Sequence, residues 1–158
     1  MNNCCETLGS DFCTTAEKLI SSEGLLKHIN NGNKVVSELA HDCIVNAIRH
    51  TQASKCIPVM VSELNSKNGN VRAKISEYLA QVVSEYPETT VNKYIGCIET
   101  GIKQVLNDAN KTAREHAKTA FSEFYARYPV NGKKMLNNMD PGTRKHVENH
   151  QQGRGERP

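Results

Sequence analysis

The chain has 158 residues, 37% of them hydrophobic and 23% charged, with a formal net charge of +3 and no tryptophan. That length suits one domain with a single core, slightly poor in large apolar side chains. The mild charge gives no support to a nucleic-acid partner, no apolar run has the length of a membrane span, and the N-terminus lacks a signal-peptide pattern, so a cytoplasmic protein is expected.

Residues 1–13 form a poorly patterned leader, expected to be loosely ordered or to make a partial capping helix. The first helical pair is predicted near 14–50. Thr14 with Glu17 has capping-box spacing, and Ala16, Leu19, Ile20, Leu26 and Ile29 make a rough stripe behind it. Gly24 interrupts that helix, and the run Asn30-Asn31-Gly32-Asn33 ends it. The partner helix carries Val35, Val36, Leu39, Cys43, Ile44, Ala47 and Ile48 on one face.

A second pair is predicted near 53–86. Cys56, Ile57, Met60, Val61 and Leu64 face inward, with Pro58 in the first turn or at a kink. Ser66-Lys67-Asn68-Gly69-Asn70 is a turn, with Asn70 as helix cap. Val71, Ile75, Leu79, Val82 and Tyr86 follow on the next helix, which Pro87 stops. The third pair, near 91–128, has the strongest periodicity. Val91, Tyr94, Ile95, Ile98, Ile102, Val105 and Leu106 hold helical spacing, Thr112 with Glu115 forms another capping box, and Ala113, Ala117, Ala120, Phe121, Phe124 and Tyr128 mark a buried stripe. Asp140-Pro141 opens a short last helix near 140–149, and the polar, Gly-containing residues 150–158 are read as a disordered tail.

The six cysteines should be reduced in a cytoplasmic chain, and no Cys-x-x-Cys or matching His pair suggests a metal site. Neither a cofactor nor a catalytic constellation is expected: acids and bases do not converge, and the Gly-containing turns lack phosphate-loop spacing.

Val71-Arg72 through Tyr86-Pro87 lies without a gap on Ala113-Arg114 through Tyr128-Pro129, 42 positions further on. Paired helices repeating every 40–47 residues or so characterise HEAT-type solenoids, which present rows of turns to protein partners. The expected fold is therefore an all-α solenoid of about three HEAT-like pairs plus a short C-terminal helix. Stacking would bring the turns Asn30–Lys34, Ser66–Arg72 and Asp108–Arg114 onto one edge. That edge would carry Lys34, Lys67, Arg72, Lys74, Lys111 and Arg114, a row of cations suited to an acidic protein surface. The alternative is that these are ordinary solvated charges, or, for Arg72 and Arg114, side chains whose stems pack across the groove and bond neighbouring turn carbonyls.

Ile44-Val-Asn-Ala-Ile48-Arg49-His50-Thr51, followed by Cys56-Ile57-Pro58, resembles a segment of the cytoplasmic linker-associated proteins (CLASPs) in which an apolar helix ends in Ile-Arg-His-Thr and the next begins Leu-Ile-Pro. Ser66-Lys67 with Val71-Arg72, Gly101-Ile102-Lys103, Asp108-Ala109, Ala113-Arg114, Met135-Leu136 with Asp140-Pro141, and Leu8-Gly9 with Phe12 resemble further short motifs of that domain, in order, over residues 8–149. The resemblance implies a HEAT-repeat TOG domain that binds tubulin through its intra-repeat turns, with Lys34, Lys67, Asn68, Arg72, Lys111 and Arg114 as contact residues. It covers roughly the last three of the family's six repeats. The first repeat carries an aromatic anchor, often tryptophan, for which this chain has no counterpart. The expectation is a non-catalytic tubulin- or microtubule-binding module of the microtubule cytoskeleton, with a generic HEAT scaffold for another protein as the alternative. A half-array would also expose an apolar end on its N-terminal side unless the leader caps it.

Overall fold

The computed structural model describes residues 2–155, with side chains from 4 to 151. Its elements are α1 (Asn2–Leu8), a 3-10 turn (Gly9–Phe12), α2 (Cys13–Leu19), α3 (Leu25–His28), α4 (Lys34–Thr51), α5 (Cys56–Glu63), α6 (Gly69–Glu85), α7 (Glu88–Lys93), α8 (Ile95–Leu106), α9 (Lys111–Arg127), α10 (Pro129–Asn137) and α11 (Pro141–Gly155). Among the described residues there is no strand, and no helix is long and apolar enough to cross a membrane. The fold is an all-α, HEAT-like solenoid, as the periodicity predicts.

The long helices α4, α6 and α9 lie side by side, with α6 between the other two. The shorter α5 and α8 pack on each other and across α6, while α10 and α11 close the array against α9. Its central place explains why α6 is buried over most of its circumference, through Ala73, Ile75, Ser76, Tyr78, Leu79, Val82 and Val83. The Tyr78 hydroxyl, carried into this core, meets His41 Nδ1 at 2.9 Å, which satisfies a polar group that would otherwise be costly to bury. On α9, the predicted stripe of Ala113, Ala117, Ala120, Phe121 and Phe124 is the buried one.

Several local expectations are corrected. Thr14 caps nothing, because the chain enters α2 already helical through the 3-10 turn. Glu17 instead reaches the start of α5, accepting from the Lys55 backbone N–H at 2.9 Å. The helix expected over 91–106 breaks at Tyr94, which leaves helical geometry between α7 and α8. The helix that Gly24 interrupts ends earlier, at Leu19, and Gly24 stands at the start of α3, where a Cβ would strike the Leu19 carbonyl. The leader forms α1, packed on α4 with Cys5 fully buried, and Gly9 makes the reversal after it at φ +51°. Residues 129–137, read without a helix, form α10 with Pro129 in its first turn. The disordered tail expected from 150 is helical to Gly155, because α11 is capped at one end and held down by Val147; residues 156–158 lie outside the described part.

The stripe expected on α4 is rotated. Ala40, Ile44, Ala47 and Ile48 turn inward, whereas Val35 and Leu39 are 63% and 58% exposed. The helix has a long neighbour, α6, on one side only, so part of its wide apolar arc has nothing to cover it.

Candidate functional site

Four turns stack along one edge of the array, each at the start of a helix. In each, a short polar side chain satisfies an N–H that the helix leaves unpaired. Asn33 accepts from Val35 N at 3.0 Å, Asn68 from Asn70 N at 2.9 Å, Asn110 from Ala113 N at 3.0 Å, and Asp140 from Thr143 N at 3.0 Å. The caps of α6 and α9 are thus two residues upstream of the predicted Asn70 and Thr112. Asn68 and Asn110 are themselves 42 positions apart, so the repeat begins earlier than the run from Val71 suggests.

In the first three turns the residue two before the cap completes the turn. Asn31 Oδ1, Ser66 Oγ and Asp108 Oδ1 accept from the N–H of Asn33, Asn68 and Asn110. The residue four after the cap then reaches back. Arg72 donates to the Ser66 carbonyl at 2.7 Å, and Arg114 to the carbonyls of Asp108 at 2.6 Å and Ala109 at 3.0 Å. In the first turn this position holds Ser37, whose hydroxyl donates to the Ile29 carbonyl at 2.6 Å. In the fourth it holds Arg144, which pairs with Glu148 on its own helix instead.

Bonds between turns lock the edge. Arg72 meets Asp108 in a two-pronged pair, Nε to Oδ2 at 2.6 Å and an η-nitrogen to Oδ1 at 2.9 Å. The Asp108 side chain is only 7% exposed, and these bonds hold its carboxyl below the usual carboxylate range. Lys74 Nζ donates to the Ile29 carbonyl, Gln104 to the Leu64 carbonyl, and Thr143 to Asn107 Oδ1. Gly69 lies so close to Asn110 that a Cβ there would come within 2.8 Å of its amide nitrogen.

The six residues singled out from sequence therefore share one edge but differ in employment. Arg72 and Arg114 are half-buried and engaged with turns, the packing role weighed for them, and Asn68 is a helix cap. Lys34, Lys67 and Lys111 stand exposed, with Lys34 3.6 Å from Glu38 one turn along its own helix. The ties made by Ser37, Gln104 and Thr143 were missed. Only the spacing of cap and following residue could have pointed to Ser37. Among the described residues, no group of three or more His, Cys, Asp or Glu side chains is placed to hold a metal.

A family model described as CLASP N terminal matches residues 1–148. CLIP-associating protein 1-B of Xenopus laevis is 22% identical over 143 residues, covering 90% of this chain and 10% of that protein. CLIP-associating protein of Drosophila melanogaster is 22% identical over 127 residues, covering 80% and 8%. CLIP-associated protein of Arabidopsis thaliana is 25% identical over 138 residues, covering 86% and 9%. The chain spans about a tenth of the length of the curated relatives it matches.

Proposed function

This chain belongs to the CLASP N-terminal family, and from that membership we propose that it is a non-catalytic, tubulin-binding module of a cytoplasmic microtubule regulator. It engages an acidic protein surface through the stacked turns. The observation that carries the reading is that three exposed lysines from turns far apart in sequence, Lys34, Lys67 and Lys111, stand on one hydrogen-bonded edge. Arg72, Arg114 and Asn68 hold that edge in shape, and the lysines meet the partner. Electrostatic contacts of this kind give fast association that weakens as salt rises.

The test is binding of the whole chain to unpolymerised tubulin at low and moderate salt, beside a Lys34→Glu/Lys67→Glu/Lys111→Glu variant. Arg72 is left in place, because its loss would disturb the turns themselves. Salt-sensitive binding, weakened about tenfold or more in a variant of unchanged helicity, is expected. Equal binding by the variant removes the ridge from the contact. No binding by the folded parent favours a scaffold for another protein. The feature supporting that second reading is the uncovered apolar surface of α4 around Val35 and Leu39.

A further inference from the structure

We propose that the groove between α9 and α11 is a docking pocket for an acidic peptide, one that places a carboxylate side chain beside an apolar one. The inference deepens the ridge reading and rests on it only for Lys111 and Arg114, which belong to both.

The groove has a volume of about 470 Å³, within the range of pockets that hold a few side chains. One wall is a single face of α9, with Lys111, Arg114 and Lys118 at helical spacing. The other is a single face of α11, with Thr143 and the exposed His146. Its floor is apolar, formed by the buried Leu106 and Val147.

The charge balance favours an anion. Two carboxylates also line the groove, Asp108 and Glu115, and both have partners: Asp108 pairs with Arg72, and Glu115 accepts from Lys118 at 2.9 Å. Those bonds keep both carboxyls below their ordinary range, so they remain charged and engaged. Lys111 makes no ion pair in the described residues, and Arg114 spends its bonds on uncharged carbonyls. The groove is left with a surplus of positive charge over a buried apolar floor.

The same features separate a peptide from other anions. No Phe, Tyr or Trp lines the groove, and its one ring, His146, stands on the exposed wall, so a nucleobase would find a single stacking partner and no enclosing platform. The fixed carboxylates oppose a multiply charged phosphate more than a single carboxylate. The aliphatic stems of Lys111 and Lys118, above the buried Leu106 and Val147, give a neighbouring leucine-like side chain a surface to cover, which a free inorganic anion cannot use.

The test uses the whole chain and a fluorescein-labelled peptide of four glutamates around one leucine, with a glutamine-for-glutamate control. Backbone amide shifts on peptide addition are expected at Asn107–Lys118 and Thr143–Val147. The control peptide should bind about tenfold more weakly, and His146→Glu should weaken the acidic peptide about tenfold by placing a like charge in the groove. Lys67→Glu, on the neighbouring turn, should leave peptide affinity within about twofold while weakening tubulin binding. Amide shifts elsewhere, indifference to His146→Glu, or inorganic phosphate competing as well as the peptide would each overturn the proposal. Peptide binding without tubulin binding would sink the ridge reading and leave the groove standing; the opposite pattern would do the reverse.

Discussion

Removing Arg72 tests whether the stacked edge is held by its turns. Arg72→Ala takes away a two-pronged bond to Asp108 and one to the Ser66 carbonyl. It also leaves a carboxylate only 7% exposed without its partner. Exposed ion pairs contribute about 0–1 kcal/mol, whereas breaking a fully buried pair costs about 3–5 kcal/mol. With Arg72 17% exposed, the loss falls between them, at about 2–3 kcal/mol. For a chain of this size that lowers the melting temperature by roughly 5–10 °C.

The assay is urea unfolding followed by circular dichroism, over a cycle of Arg72→Ala, Asp108→Ala and the double variant. The double should lose less than the sum of the singles by about 1–2 kcal/mol, since removing both partners strands neither charge. The pH dependence adds a second reading. Arg72's hydrogen bonds depress the folded-state pKa of Asp108 from its ordinary 3.8. The resulting stability is therefore fully present above that value and is lost as pH falls from about 4 toward the lower folded-state pKa. Arg72→Ala should flatten the acid limb in that window. Additivity within about 0.5 kcal/mol, or an acid limb unchanged by the substitution, would refute the clamp.

Gln52 ends α4 at φ 50° and ψ 40°, left-handed geometry that favours glycine, so Gln52→Gly should stabilise the chain by about 0.5–1 kcal/mol in the same urea assay. Phe121 is fully buried at the α9 contact, and Phe121→Ala should cost about 3–5 kcal/mol by thermal or urea unfolding. Burial pushes the Cys56 thiol up to about 12, so at about pH 8 a thiol reagent should modify exposed Cys4 quickly and reach Cys56 only on unfolding. Rapid modification of Cys56 in the native chain would contradict its burial.

The all-α class and the stacked edge were legible because they rest on repetition: a stripe along α9 and an arginine and Tyr-Pro pair recurring after 42 residues. The caps were misplaced by two residues because each turn offers several competent side chains. Asn68 stands two from Asn70, and Asn110 two from Thr112, and only backbone geometry decides which side chain meets a free N–H. The rotated face of α4 was hidden for a different reason. Its apolar arc is wider than the contact it makes, and periodicity measures the arc, not the neighbour. From the sequence alone, Asp108 is simply part of a turn. Its role as the acceptor for Arg72 depends on α6 and α9 lying side by side, which no local pattern states.

The division between the arginines and lysines of the edge follows from their chemistry. A guanidinium is planar and donates in a fixed fork, so it can grip a carboxylate and a carbonyl at once, as Arg72 does with Asp108 and Ser66. An ammonium is a strongly hydrated point charge on a flexible stem, costly to immobilise and well suited to solvent, as at Lys67 and Lys111. The half-buried arginines therefore fix the positions from which the exposed lysines project. Substituting arginines should then register first as lost stability, and substituting lysines as lost association rate and salt dependence at constant stability. Lys74 lies between the classes: its ammonium is drawn onto the Ile29 carbonyl and Ser37 hydroxyl where the first turn has no arginine of its own. Lys74→Met should for that reason behave like an arginine substitution, loosening the first turn, and so displace Lys34 without touching it.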